Sequence, residues 1–226
     1  MAIRRVKLVQ GEYYHLYNRG NSKQKIFTDK EDYQRFIELL YVSNASGRFN
    51  LYDLKRNNNF NVYKVDRNNL LVGVGVYCLM PNHFHLLLTE KEEGGISKFM
   101  QKLSTAYSMY FNKKYKRTGS LFEGKFKSQH ADTDKYLKYL FSYIHLNPIK
   151  LIQSDWKEKG INNKREAIEY LNKYPYSSYL DFNGEKRIQN KILDVDVFPK
   201  YFFSKENFQK EIFEWLSYDN PALGKT

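Results

Sequence analysis

"LLVGVGVYCLMPNHFHLLLTE", residues 70–90, decides the fold. Two apolar runs, 70–80 and 83–90, flank the dipeptide Pro81-Asn82. A break this short joins antiparallel neighbours, so the stretch reads as a β-hairpin. Its second run carries an oddity, since His83 and His85 flank Phe84 where aliphatic residues would pack better. On a strand alternate side chains share a face. Both imidazoles therefore point one way, and Phe84, Leu86 and Leu88 point the other. The apolar set would pack against helices and leave the imidazoles on the open face of a sheet.

Working outward, "EYYHLYNRG" (12–20) is a strand ending at Gly20. Residues 28–46 read as a helix with Thr28 as N-cap, Glu31 completing a capping box, and Tyr33, Phe36, Ile37, Leu40 and Tyr41 as the apolar stripe. Residues 47–69 are rich in Asn and read as a loop or hairpin. A long helix follows over 94–115, with Ile96, Phe99, Met100, Leu103, Tyr107 and Tyr110 on its apolar face. Residues 117–132 form a Gly-containing loop entering a strand, and 133–150 a helix that Pro148 terminates. This order predicts an α+β fold, a ferredoxin-like antiparallel sheet with helices on one face. Beyond 150 the pattern weakens to short helices, in 163–182 and 204–216. The expected organisation is a catalytic domain over 1–150 and a C-terminal helical extension over 151–226.

The charge narrows the function. Lys and Arg total 37 against 25 acidic residues, a net +12, alongside 20 Tyr and 16 Phe. Cations with flat rings suit a polyanion whose bases are open to stacking, although a lysine-rich proteome alone would give a similar balance. At 42% hydrophobic residues the chain can build a core. No stretch approaches the roughly 18 apolar residues of a membrane span, and the basic N-terminus lacks the apolar region of a signal peptide. The single cysteine, Cys78, suits a reducing, cytoplasmic setting.

Two strand imidazoles on one face are suited to a shared metal ion. Two satisfied histidines on a half-exposed strand is the plainer reading. His15, His130 and His145 are the other histidines, and one of them could complete an open three-histidine zinc site. In "YLFSYIHLNPIK" (139–150) Tyr143 and Asn147 are four apart and share a helix face, with a phenol and an amide oxygen to offer. His145 points nearly the opposite way. A phenol attacks phosphorus usefully when nearby positive charge neutralises the phosphate oxygens. Tyr136, Tyr139 and Tyr143 also fit an ordinary aromatic core stripe. Tyr139 is the rival nucleophile, with Tyr107 and Tyr110 behind it.

Taken together, "YHLYNRGNSKQKIF", "YCLMPNHFHLLL", "ISKFMQKLSTAYSMYFNKKYKRTGSLFEGKFKS", "YIHLNPIK" and "YPYSSY" resemble the REP-associated tyrosine transposases, a branch of the HUH single-strand DNA transposases and nickases. The pieces span 13 to about 180, in the family's order. The resemblance implies that Tyr143 is the nucleophile and that His83, His85 and Asn147 hold a divalent metal, Mg2+ or Mn2+. It implies cleavage of single-stranded DNA beside hairpin-forming palindromes, through a 5′-phosphotyrosine link that frees a 3′-hydroxyl. The 47–69 segment and the tail after 180 are longer than the family pattern, which bears on DNA specificity and on whether the protein is a monomer or homodimer.

For DNA contact, Lys113, Lys114, Lys116, Arg117, Lys125 and Lys127 are interleaved with rings, among them Phe122. Arg19 and Lys23 flank Gly20, where backbone N–H groups could meet a phosphate. Arg4, Arg5 and Lys7 could form a basic arm. Besides metal-dependent strand transfer, two other classes remain: a hairpin-binding protein without catalysis, and a zinc hydrolase unrelated to DNA.

Overall fold

The computed structural model describes residues 7–47 and 61–200, together with positions 208, 212 and 214. The basic arm residues Arg4 and Arg5, most of the Asn-rich segment and most of the helix expected over 204–216 lie outside the described residues.

Four strands form one antiparallel sheet in the order β2-β3-β1-β4. They are β1 (Tyr13–Arg19), β2 (Val72–Met80), β3 (His83–Glu90) and β4 (Lys127–His130). With α1 (Lys30–Val42), α2 (Gly95–Lys114) and α3 (Asp134–Leu146) the chain runs βαββαβα, the ferredoxin-like arrangement the hairpin pointed to.

One face of the sheet packs on α1 and α2. Leu16, Tyr77, Leu79, Phe84, Leu86 and Leu88 meet Phe36, Leu40, Phe99, Leu103 and Tyr107 in a single core. The opposite face, expected to be open, is covered. Val76, Cys78, Met80 and Leu87 pack there against α3 and the segment after it. Four apolar side chains on that face require cover, and α3 with the extension provides it. Buried Phe208 and Ile212, four apart, join the same cluster.

A β-bulge between Val74 and Val76 creates this second apolar face. The extra residue turns Val76, Cys78 and Met80 to the side opposite Val72 and Val74. Two glycines leave room for the chain's later part. A Cβ on Gly73 would sit 2.4 Å from a methyl of Val197, and one on Gly75 would sit 2.8 Å from the Phe198 ring. The free edge of β2 is also taken. Leu79 N–H donates to the Tyr176 carbonyl at 2.9 Å, Ser178 N–H to Tyr77 at 3.0 Å, and the Tyr174 hydroxyl to the Leu79 carbonyl at 2.6 Å. This gives "YPYSSY" a physical role, since an uncovered edge invites pairing with another chain.

Helix α1 begins one residue later than expected. Asp29, not Thr28, is the N-cap, and Asp32, not Glu31, completes the capping box. The difference lies in burial: the Asp32 side chain is fully buried and serves several donors at once. It accepts from Thr28 N–H at 2.8 Å, from the hydroxyls of Tyr110 (3.0 Å) and Tyr115 (2.8 Å), and from Lys114 Nζ at 2.9 Å. Asp32 therefore locks the start of α1 to the end of α2. Removing its carboxylate leaves buried donors unpaired, so Asp32→Ala is expected to lower unfolding free energy by about 3 kcal/mol. Urea denaturation measures this; a loss under about 0.5 kcal/mol would show the network to be dispensable.

The extension contains α4 (Trp156–Lys159), α5 (Lys164–Leu171) and α6 (Tyr179–Phe182). As expected, α3 stops just before Pro148, at Leu146. The proline sits at the start of a 3-10 turn, Asn147–Leu151, where its missing N–H costs nothing. No helix among the described residues is long and apolar enough to cross a membrane.

Candidate active site

The site forms on the second face, where β1 and β3 run side by side beneath α3. Register places Tyr17 opposite His85 and Arg19 opposite His83, while His15 faces Leu87. Alternation then brings His15, Tyr17, His83 and His85 to one face. The His83 and His85 rings stand perpendicular, with centroids 4.9 Å apart. The Tyr143 ring lies edge-on, 5.7 Å from His85 and 6.2 Å from His15. The strand pair and the helix phenol, separated by 58 residues or more in sequence, thus meet.

Asn147 is buried at the end of α3, and its amide donates to the Tyr143 carbonyl at 3.0 Å. Tyr143 is half-buried, whereas Tyr136 and Tyr139 are each 8% exposed and stack behind it in a near-parallel ladder. Of the three, Tyr143 is the most accessible. Burial raises its phenol above the ordinary value, while hydrogen bonding with the Asn147 side chain and the charge of Lys150 pull it back down. Tyr107 and Tyr110 lie across the sheet with the first core.

Burial holds the imidazoles neutral. His83 falls to about 4, with Lys150 and Arg19 adding to the effect, and His15 falls to about 3, helped by Lys157. His85 is pushed well below the usual range by burial and then by its histidine neighbours. Neutral imidazole is the form that binds metals. His83 Nδ1 is 2.6 Å from the Asn82 side-chain oxygen, which can only accept. The ring proton sits on Nδ1 and the Nε2 lone pair is free. His85 Nε2 is buried with no hydrogen-bond partner. A free lone pair and an orphaned buried nitrogen on neighbouring neutral rings fit a divalent cation.

Among the described residues no group of three or more His, Cys, Asp or Glu side chains is placed to hold a metal ion. His145 faces away, 2.9 Å from the Ser178 hydroxyl and packed on Phe141 and Phe182. His130 stacks on Tyr14 and pairs with Glu12. His15 is hydrogen-bonded to His85 through its own ring nitrogen at 2.8 Å.

The residues expected to meet DNA divide into three groups. Lys23, Lys113, Lys116, Lys125 and Lys127 are exposed, and Lys127 sits opposite Tyr17 on the site face. Arg19 is exposed but clasped by Glu123, at 2.5 and 2.8 Å. Arg117 is half-buried, its guanidinium 5.6 Å over the Phe111 ring. Two residues are taken up by other contacts. Lys114 is engaged by Asp29, Glu31 and Asp32. Phe122 is 5% exposed and packs on Phe84 and Tyr107, so its ring offers no stacking surface. Its apolar bulk follows the core, which the local charge pattern hid.

Several site residues escaped the sequence reading. Tyr17 lies 6.0 Å from His85, Lys150 is exposed in the 3-10 turn after α3, and Lys157 Nζ sits 4.4 Å over the Tyr143 ring. Trp156 packs 6.3 Å from the same ring. For Tyr17 the alternation in "YHLYNR" carried a signal; for Lys157 and Trp156 nothing local did.

Residues 62–147 match the family model described as "Transposase IS200 like". The IS200-like segment runs from the approach to β2 through Asn147, so it holds both imidazoles, the phenol and the amide. A solved structure of a REP-associated tyrosine transposase bound to a REP hairpin is similar over 89% of this chain and 96% of that one, at a TM-score of 0.51 and 14% identity. At that identity the likeness speaks for the fold. Both findings agree with the family resemblance of the motifs. No curated protein matches the chain.

Acid should unfold this protein early. An unfolded histidine binds its proton near pH 6.5, whereas His15 and His145 resist until about 3 and His83 until about 4. Between pH 6.5 and about 4 the unfolded state binds more protons, so stability falls as pH drops through that window. Each such histidine contributes up to about 1.4 kcal/mol per pH unit. Urea midpoints should be level above pH 7.5 and fall steeply from 6.5 to 5. A level midpoint down to pH 5 would mean that these rings protonate in the folded state.

Proposed function

We propose that this protein is a single-tyrosine DNA nicking and strand-transfer enzyme acting on single-stranded DNA that forms hairpins. The observation that carries this reading is the Tyr143 ring lying 5.7 Å from His85, on the face that also presents His83. The match to IS200-like transposases and the likeness to a hairpin-bound transposase support it.

In the reaction the Tyr143 oxygen attacks a backbone phosphorus in line. The phosphorus–O3′ bond breaks, leaving a 5′-phosphate on the phenol oxygen and a 3′-hydroxyl on the departing strand. The phenol proton is passed on and one proton is taken up by that leaving oxygen. A second 3′-hydroxyl can reverse the step, because the phosphotyrosyl ester keeps the energy of the original linkage. Hydrolysis would gain nothing from a tyrosine ester; strand transfer does.

His83, His85 and Asn147 would hold a divalent cation, Mg2+ or Mn2+, with manganese better matched to imidazole nitrogens. Bound there, such an ion supplies positive charge to the phosphate oxygens as negative charge develops. Lys150 and Lys157 add fixed positive charge beside the phenol, and Lys157 crosses its ring. Lys127 and the other exposed lysines would attract the strand by counterion release. Residues 1–150 would supply the reacting groups and 151–226 would brace them.

The test is incubation of the full chain with a labelled single-stranded oligonucleotide carrying a hairpin, in Mn2+, followed by a denaturing gel. A protein–DNA band surviving denaturation is expected. Binding without such a band, across a panel of hairpins, would favour a hairpin-binding protein without catalysis.

A further inference from the structure

We infer that His15 is a positioning residue for His85: it accepts the Nδ1–H of that ring in the tautomer whose Nε2 lone pair can bind a divalent cation. The inference rests on the proposed cation site at His83 and His85.

The two rings lie nearly parallel, with centroids 5.0 Å apart and planes at 23°. His15 Nε2 and His85 Nδ1 are 2.8 Å apart, so one proton lies between them. Both side chains are buried, at 5% and 6% exposure, and water does not compete for that proton. His15 reaches His85 diagonally from the neighbouring strand, since its direct partner is Leu87.

Two arrangements of the pair are possible. In the first, His85 donates from Nδ1 and keeps a lone pair at Nε2. In the second, His15 donates from Nε2 and His85 must carry its own proton at Nε2. Both His15 Nδ1 and His85 Nε2 are buried without hydrogen-bond partners. Each arrangement therefore strands one buried N–H, and the pair by itself is balanced. A cation removes the balance, because only the first arrangement offers it an electron pair. A ring that could not accept at position 15 would leave His85 with no partner for its Nδ1–H.

The same logic operates at the other imidazole by different means. Asn82 fixes His83 with its side-chain oxygen, and its own amide is held by the Lys23 carbonyl at 3.3 Å. Each imidazole of the pair thus has one nitrogen engaged by a neighbour and the other left over. Partners of this type orient metal-binding histidines and raise their basicity.

The test compares wild type, His15→Gln, His15→Phe and His83→Ala as full-length chains. Mn2+ binding is measured by calorimetry and by the loss of free-ion electron paramagnetic resonance signal. His15→Phe should weaken Mn2+ binding by about 10- to 100-fold. His15→Gln should stay within about threefold of wild type, because its amide oxygen can accept the same N–H. Wild-type-like affinity in His15→Phe, with binding lost in His83→Ala, overturns the inference and leaves the cation site standing. Equal binding by wild type and His83→Ala overturns both. Should His15→Phe fail to fold, nitrogen NMR of histidine-labelled wild type in saturating Mg2+ decides. A proton on His85 Nδ1 supports the inference, and a proton on Nε2 refutes it.

Discussion

Tyr143→Phe is expected to abolish the covalent protein–DNA band while hairpin binding persists within about threefold of wild type. Under the proposed reaction this removes the oxygen that forms the ester, so the rate should fall on the order of 10⁴-fold or more. Binding should survive because the ring, its edge contacts to His15 and His85 and its place beneath Lys157 are unchanged. Tyr139→Phe should keep the band, since that ring is 8% exposed and stacked behind Tyr143. A band surviving in Tyr143→Phe and vanishing in Tyr139→Phe would move the chemistry one turn along α3. Gel quantification with a parallel binding titration separates these outcomes.

The second large effect concerns the imidazoles. His83→Ala is expected to reduce adduct formation by at least about 10²-fold in Mn2+, the scale on which removal of transition-state charge stabilisation is felt. Chelation of wild type should have a comparable effect, reversed by added Mn2+. His83 is the better position to change, because it is half-exposed and lies at the strand's start, whereas His85 is buried against His15 and Cys78 lies opposite it. His83→Ala should accordingly keep a near-native urea midpoint, which ties the loss to chemistry and not to folding. Full activity in chelator would show that the fixed charges of Lys150 and Lys157 suffice by themselves.

Local pattern carried much of this. The His-x-His alternation placed two imidazoles on one face, and the four-residue spacing set Tyr143 and Asn147 on one side of α3. Both are properties of a single element, which its own periodicity determines. The contribution of β1 is different. His15 meets His85 through strand pairing across 70 residues, and no local rule gives that register. Lys157 and Trp156 arrive from a short helix in a stretch without clear pattern. The bulge at Gly75 inverted the alternation of β2, so a second apolar face was concealed in a run that is apolar throughout. Charge misled in the opposite direction at Lys114, whose neighbours in sequence are cations but whose partners in space are Asp29 and Asp32.

The brace behind α3 bears on stoichiometry. His145 bonds the Ser178 hydroxyl, which also receives the Tyr77 N–H at 3.1 Å, so the helix carrying Tyr143 is pinned to the sheet of its own chain. One copy therefore brings phenol and imidazoles together without borrowing either from a neighbour. One phenol can carry one DNA end at a time. Under the proposed reaction, each molecule would register a single adduct, and exchange between two ends would proceed in turn or across two independent copies.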